Sequence, residues 1–353
     1  MKFLITTLIS INIITSIFTP SNFRNEVKLI AVGDIMMHFP QIKAGKNQNG
    51  YDYSHFFDEV SPILKKGDIT IGNLETTLAG KKYDYSGYPR FNAPQILAKN
   101  LKDAGFTILN TSNNHSLDRF EKGVINTIDS LNNNNLNHIG TSNSKERNNY
   151  PLIINKKGIN LAFFSYTYGT NGISIPKNKD YLVNLIDKDL IKNDLKLIEN
   201  REIDFKIIYL HFGNEYKTYP NNYQKKLVTW LFENGFDVVL GSHPHVLQPM
   251  ETYTINAEKK FVIYSLGNFI SNQRDKYRDS SIILEMDFEK NYLNGKTNMK
   301  DINYHPTWVY RYYDKNKYNY KILLSEKNYD FLPEKLNKKM KNTIKLTKEI
   351  FKK

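Results

Sequence analysis

Two of the chain's eight histidines, His243 and His245, stand one residue apart in "GSHPHV", directly after the apolar run "FDVVL". In an extended chain, residues two apart face the same side, and Pro244 disfavours a helical conformation at His243, so both imidazoles are expected to point one way. Neutral imidazole is the commonest side-chain metal ligand, and a pair on one face supplies half a metal site. Two hydrogen-bonded surface histidines would fit the same six residues, so the decision rests on how the other apolar runs end.

Five further runs end in the same way. "LIAV" leads into Gly33-Asp34, "ITI" into "GNLE" with Glu75, and "FTILN" into "TSNNH" with Asn114 and His115. "IIYL" leads into "HFGNE" with His211 and Glu215, and "VIYS" into "LGNF" with Asn268. The carboxyl ends of strands in an α/β sheet form the crevice where ligands bind, so metal-ligand residue types at six successive ends make a site. The mixture suits two divalent cations, which together bind substrate, generate hydroxide and stabilise the leaving oxygen in phosphoester hydrolysis. Asp34 and Glu75 would neutralise charge, one of them bridging the ions. His211, His243, His245 and the amide oxygen of Asn114 would complete shells suited to Mn, Fe or Zn. His115 follows Asn114 and should project differently, which places it as the general acid for the leaving group.

Neighbouring residues carry weaker readings. Glu215 is taken to orient His211, with a metal ligand or a plain loop carboxylate as alternatives. Asn73 and Asn268 are read as turn-capping amides. Arg90, in "YPRFNAP", either holds an anionic substrate group or makes a surface ion pair. His55, His138 and His305 fall outside the strand-end pattern and are read as structural, and the tyrosines from 304 to 320 as sheet faces.

The elements that must position these groups are visible as near-continuous apolar runs, the pattern of strands buried on both faces. They fall at 27–32, 69–73, 106–110, 159–166, 205–210, 236–240 and 261–266. Helical segments lie between several of them: "APQILAKNLKDAG", "RFEKGVINTIDSLNNNN", "LIKNDLKLIEN" and "NYQKKLVTWLFENG", with Gly105 and Gly235 where helices end. Such alternation predicts an α/β layered fold. After residue 280, "SSIILEMDFE" and "TWVYRYY" read as hairpin strands that finish the sheets or form an appendage.

The chain has 353 residues, 40% of them hydrophobic and 13% aromatic, which excludes a disordered polypeptide and allows one large core or two modest ones. Lys2 is followed by sixteen uncharged residues, the pattern of a secretory signal or an amino-terminal anchor, so an extracytoplasmic location is expected, secreted or held at the cell membrane. The absence of cysteine excludes structural disulfides and a lipidated cysteine anchor. Of the formal net charge of +13, the segment from 290 onward carries +10, with 16 basic and 6 acidic residues. Its last part, "PEKLNKKMKNTIKLTKEIFKK", is a basic helix candidate with Leu336, Met340, Ile344 and Phe351 on one stripe. That stripe predicts docking on its own domain, with an electrostatic handle for a polyanion or an anionic membrane face as the alternative, and no nucleic-acid motif accompanies the charge. Three parts follow: residues 1–24 as signal or anchor, 25–290 as the body, and 291–353 as a β-rich then basic helical extension.

The ordered series "VGDIMMH", "GNLETTL", "NTSNNHSLD", "LHFGNEY", "GSHPHVLQPME" and "YSLGNF", spanning about residues 27 to 271, resembles the CapA family of capsule synthesis proteins. That family is similar to calcineurin-like metallophosphoesterases, so the resemblance implies a four-layer α/β/β/α sandwich with a two-metal centre. It places Asp34, Glu75, Asn114, His211, His243 and His245 at the metals and His115 as proton donor. The broader pattern is departed from twice: Met36 stands where an Asp-x-His start has its histidine, and Glu75 takes the place of a bridging aspartate. His38 either substitutes for the missing ligand or stays outside the site. Two functions are then open. One is an exported metal-dependent phosphoesterase of capsule, poly-γ-glutamate or envelope-polymer assembly. The other is a non-catalytic accessory that binds an anionic polymer and supports a membrane synthase.

Overall fold

A computed structural model describes residues 23–147 and 150–352; the uncharged amino-terminal run, and with it the signal or anchor reading, lies outside the described residues. Two sheets stack face to face. The first has eight strands in the order Lys317–Leu324, Lys296–Asp314, Ser280–Asn291, Arg24–Ile35, Ile69–Leu74, Ile108–Asn110 and Asn137–Ile139, with Asn268–Ile270 beside the end of Arg24–Ile35. From Arg24–Ile35 to Asn137–Ile139 neighbouring strands run parallel, and the three carboxy-terminal strands are antiparallel. The second sheet runs Met250–Ile255, Glu258–Ile263, Val238–Ser242, Phe205–His211, Ile159–Thr167, Leu152–Lys156, parallel inside with an antiparallel strand at each edge.

The period-two alternation of the strands builds the layers. Leu29 and Ala31 of the first sheet meet Leu161, Ile207, Tyr209 and Leu240 of the second in the core between the sheets. The intervening residues Ile30 and Val32 face outward, under Leu97, Ala98 and Leu101 of helix Ile96–Ala104. On the far side Ile208, Leu210 and Val239 pack beneath Leu227, Val228 and Leu231 of helix Asn222–Glu233. The result is the expected α/β/β/α sandwich, with the central strands of both sheets buried on both faces and the edge strands partly exposed.

Local signals set the helix ends. Asn221 caps its helix by accepting the Gln224 N–H while the Gln224 side chain returns to the Asn221 N–H, each at about 3 Å. Gly105 ends helix Ile96–Ala104 at φ 118°. The hairpin strands after residue 280 join the first sheet rather than standing apart. The basic helix Glu334–Phe351 docks on them, burying Met340, Thr343, Thr347 and Ile350, with the expected Leu336 and Phe351 packed beside them. Ile344 is only partly buried there, because the observed stripe follows a three-four spacing where a four-residue one was expected. Among the described residues no helix is long and apolar enough to cross a membrane.

Candidate functional site

Register brings the strand ends together. Asp34, on Arg24–Ile35, lies opposite Asn73 on one side and Asn268 on the other, and His211 lies opposite Ser242. Two close backbone approaches need glycine. A Cβ on Gly33 would stand 1.8 Å from Gly267 O, where the Asp34 N–H makes a 2.9 Å bond, and one on Gly241 would stand 2.0 Å from Tyr264 O.

Asp34, Glu75 and His211 are fully buried, and one ligand atom from each lies within 4.8 Å of the other two. Asn73 ties them together. Its Nδ2 donates to Asp34 Oδ1 at 2.8 Å and Glu75 Oε2 at 3.1 Å, and sits 3.3 Å from His211 Nδ1. Asn110 Nδ2 and Asn113 Nδ2 both donate to Asn73 Oδ1, fixing which way the amide faces. Asn73 therefore holds buried side chains in place and does not cap a turn. Asn268 does likewise: its Oδ1 and Asp34 Oδ2 both accept from His245 Nδ1, at 3.1 and 3.0 Å. That tautomer, assigned from the two acceptors, turns the Nε2 lone pair toward the Glu75 side.

Glu75 Oε1 is the centre of the arrangement. It lies 3.8 Å from His211 Nε2 and 3.7 Å from His245 Nε2, too far for a hydrogen bond, and is buried without a partner. His243 Nδ1 is also buried and unpartnered. Burial, then the negative charge of Asp34, pushes the Glu75 carboxyl well above its ordinary value. Burial, then the neighbouring histidines, holds His211 well below its own and pushes His243 down to about 3. Imidazole nitrogens around a carboxylate oxygen without a hydrogen-bond partner fit a divalent cation, which would satisfy both orphaned atoms and remove the cost of ionising Glu75. The site residues thus suit a metal by their donor chemistry as well as their position.

His243 and His245 do converge on this centre, but not through an extended chain. Their φ values are 97° and 58°, in the left-handed region that non-glycine residues occupy at a cost of about 1–3 kcal/mol each. Pro244 keeps His243 out of the helical region as expected, yet the loop turns. The rings sit 6.0 Å apart, and His243 packs 4.8 Å from His211. Strain at the loop is what aims the two rings.

Asn114 and His115 diverge as expected. Asn114 Oδ1 lies 2.9 Å from His211 Nε2, whereas His115 Nδ1 pairs with Asp118 Oδ2 at 2.7 Å. Asp118 also accepts the Phe91 N–H, and the Phe91 ring meets His115 edge-on at 4.6 Å. Asp118 stands in "HSLD" and its i, i+3 spacing from His115 was the available signal, as Ser242 was in "GSHPH". Glu215 is exposed; His211 is oriented by Ser242 Oγ at 2.9 Å and by Asn73 instead. Arg90 is exposed and lies over the Phe120 ring at 5.3 Å. His38 Nδ1 accepts the Asn272 N–H at 3.3 Å, and burial pushes its pKa down to about 4.

The family model described as "Bacterial capsule synthesis protein PGA_cap" matches residues 28–273. The "Capsule biosynthesis protein CapA" of Bacillus anthracis is 32% identical over 286 residues, 76% of this chain and 66% of that protein. The "PGA biosynthesis protein CapA" of Bacillus subtilis (strain 168) is 30% identical over 264 residues, 71% of this chain and 65% of that one. The chain thus spans just under two thirds of the length of these curated relatives. A Staphylococcus aureus crystal structure described as a candidate 5′-nucleotidase superposes with a TM-score of 0.50 at 12% identity, covering 91% of this chain and 58% of the other. This last likeness is one of fold alone, the layered α/β/β/α sandwich.

Proposed function

The chain belongs to the bacterial capsule synthesis family, and from that premise we propose that it is an exported hydrolase of phosphoester type, acting on an anionic polymer or its precursor in capsule or poly-γ-glutamate assembly. The observation that carries the proposal is the buried, unpartnered Glu75 Oε1 between two imidazoles. It supports Glu75, Asp34, His211, Asn114, His243 and His245 as the residues that would hold two divalent ions, Mn, Fe or Zn. Such ions, when bound, supply a hydroxide nucleophile and neutralise the charge on the phosphoryl oxygens.

The chain's own residues do the rest. Asn73 and Asn268 hold the carboxylates and His245 in fixed orientation. Asp118 holds the His115 ring through Nδ1, which leaves Nε2 as the ring nitrogen that would deliver a proton to the leaving oxygen. The export part rests on the uncharged run after Lys2.

The test is a metal analysis and a turnover assay on the purified protein with phosphomonoesters and phosphodiesters under Mn, Fe and Zn. His243→Ala is expected to lose both metal and turnover; His115→Ala should keep its metal and lose turnover about 10²-fold or more. Absence of turnover with all three metals, or turnover surviving both substitutions, overturns the enzymatic reading. The +10 charge from residue 290 onward favours a second reading, a non-enzymatic polymer-binding accessory to a membrane synthase. Protease accessibility in intact cells tests export.

A further inference from the structure

The mouth of the site carries a cationic group that hydrolysis as described above does not use. Arg278 lies in the loop between strands Asn268–Ile270 and Ser280–Asn291, and its guanidinium sits 3.4 Å over the Tyr216 ring. Tyr216 packs in turn on His245, ring centroids 6.0 Å apart, and its N–H donates to Pro244 O at 2.8 Å. The backbone of Arg278 is tied to the same centre. Asn268 Nδ2 donates to Arg278 O at 2.8 Å, while Asn268 Oδ1 accepts from His245. Arg278 is therefore held one aromatic ring away from His245, its guanidinium by the stack on Tyr216 and its backbone by the Asn268 amide.

Its own counter-charge is loosely held. Nη1 donates to Asp275 Oδ2 at 2.6 Å, but the Asp275 side chain is 75% exposed against 24% for Arg278. An ion pair this open to water contributes little and exchanges readily for an anion from solution. The planar fork of a guanidinium presents paired N–H donors that match a carboxylate or a phosphate, and stacking on Tyr216 fixes the plane of that fork.

We propose that Arg278, stacked on Tyr216, is a substrate-binding residue that takes an anionic group, carboxylate or phosphate, on the unit next to the bond that is cleaved. The inference rests on the hydrolytic reading of the same site and adds the class of substrate: one that carries a second negative charge beside the scissile group. A polymer with one charge per unit meets that requirement, since the centre takes one charge and Arg278 the next.

Calorimetric titration of the full-length, detergent-solubilised protein without added metal isolates this contact from the centre. The probes are a γ-linked glutamate tetramer, tripolyphosphate and, as a neutral control, maltotetraose. The wild type is expected to bind one of the two anions and not the sugar, and the arm that binds tells carboxylate from phosphate. Arg278→Ala should weaken that binding about tenfold, and Arg278→Lys should recover part of it because charge returns without the fork. Asp275→Asn, which frees the guanidinium, should tighten it several-fold.

In the Mn-loaded protein Arg278→Ala should raise KM for an anionic oligomer about tenfold with kcat within about twofold. Unchanged binding in both Arg278→Ala and Asp275→Asn, or no binding of either anion by the wild type, overturns the proposal. If Arg278→Ala melts below the wild type, the Asp275→Asn arm decides alone. Arg278-dependent binding without any turnover would sink the hydrolytic reading and leave this contact standing, whereas turnover with an unchanged KM would do the reverse.

Discussion

Two buried carboxylates on the first sheet face opposite situations. Asp279, beside the carboxy-terminal hairpin, accepts from Trp308 Nε1 at 3.0 Å, Lys339 Nζ at 2.7 Å and Arg274 Nη2 at 3.3 Å. Glu75, at the strand ends, receives one amide N–H from Asn73 and leaves its second oxygen bare. The first carboxylate closes a packed corner in which Trp308, Leu323, Leu332 and Met340 exclude water. The second stands among neutral imidazoles, close to another carboxylate and next to two residues in left-handed backbone. Satisfied charge marks where the fold is held; unsatisfied charge, held rigidly by amides, marks where a cation belongs. The difference lies in the partners and not in burial, for both side chains are removed from solvent.

Glu75→Gln should break this contrast most strongly. It removes the shared anionic oxygen, so metal content and turnover should fall by about 10²-fold or more. The metal-free variant should melt no lower than metal-free wild type, and higher at neutral pH, because an ionised carboxylate that burial disfavours is replaced by a neutral isostere. A metal-free variant clearly less stable than wild type would mean that Glu75 is structural. Asp279→Ala should do the opposite. It leaves the Trp308 N–H and the Arg274 guanidinium short of an acceptor and should cost about 2–3 kcal/mol in denaturant unfolding, with metal stoichiometry unchanged. The half-exposed Lys339 keeps the cost below that of a wholly buried pair. Loss of metal from Asp279→Ala would erase the distinction drawn between the two carboxylates.

The parts legible in the sequence are those governed by local pattern. Apolar runs mark strands because both faces of these sheets are covered, and the residues that follow each run converge because parallel strands end on one side. What escaped depends on contacts distant in sequence. Asn73 looks like a turn amide until strand pairing sets Asp34 beside it, and Asn268 until the chain returns next to that same strand. Glu215 was a reasonable partner for His211 from its spacing, but register gives that place to Ser242 of the adjacent strand. The turn at His243 and His245 overrides the extended preference before proline, because the close pairing of Gly241 with Tyr264 O and the pull of Asp34 and Asn268 on His245 fix the loop's path. Arg278 gave no signal at all, since its role depends on a ring contributed by a loop some sixty residues earlier.

A smaller effect sharpens the contrast between the site and the rest of the fold. Burial pushes His138 down to about 4, far from the centre, much as it pushes His243 down to about 3 inside it. Both rings stay neutral in the folded chain, whereas in the unfolded chain each takes up a proton below its ordinary value near 6.5. Each therefore contributes stability that is fully present above pH 6.5 and is lost as pH falls toward the folded value. Each should add up to about 1.4 kcal/mol per pH unit to the acid slope. Glu75 opposes them: with a raised folded pKa, its contribution is present below the ordinary value of 4.5 and lost as pH rises. Denaturant midpoints of the metal-free protein between pH 7 and 5 should accordingly fall, and His138→Gln and His243→Gln should each flatten the slope by about one proton. With saturating Mn the two should part: His138→Gln keeps its one-proton effect, while His243→Gln should also lose the stabilisation that metal brings, as the proposed ligand role of His243 requires. Equal responses of the two variants to metal would place His243 outside the centre.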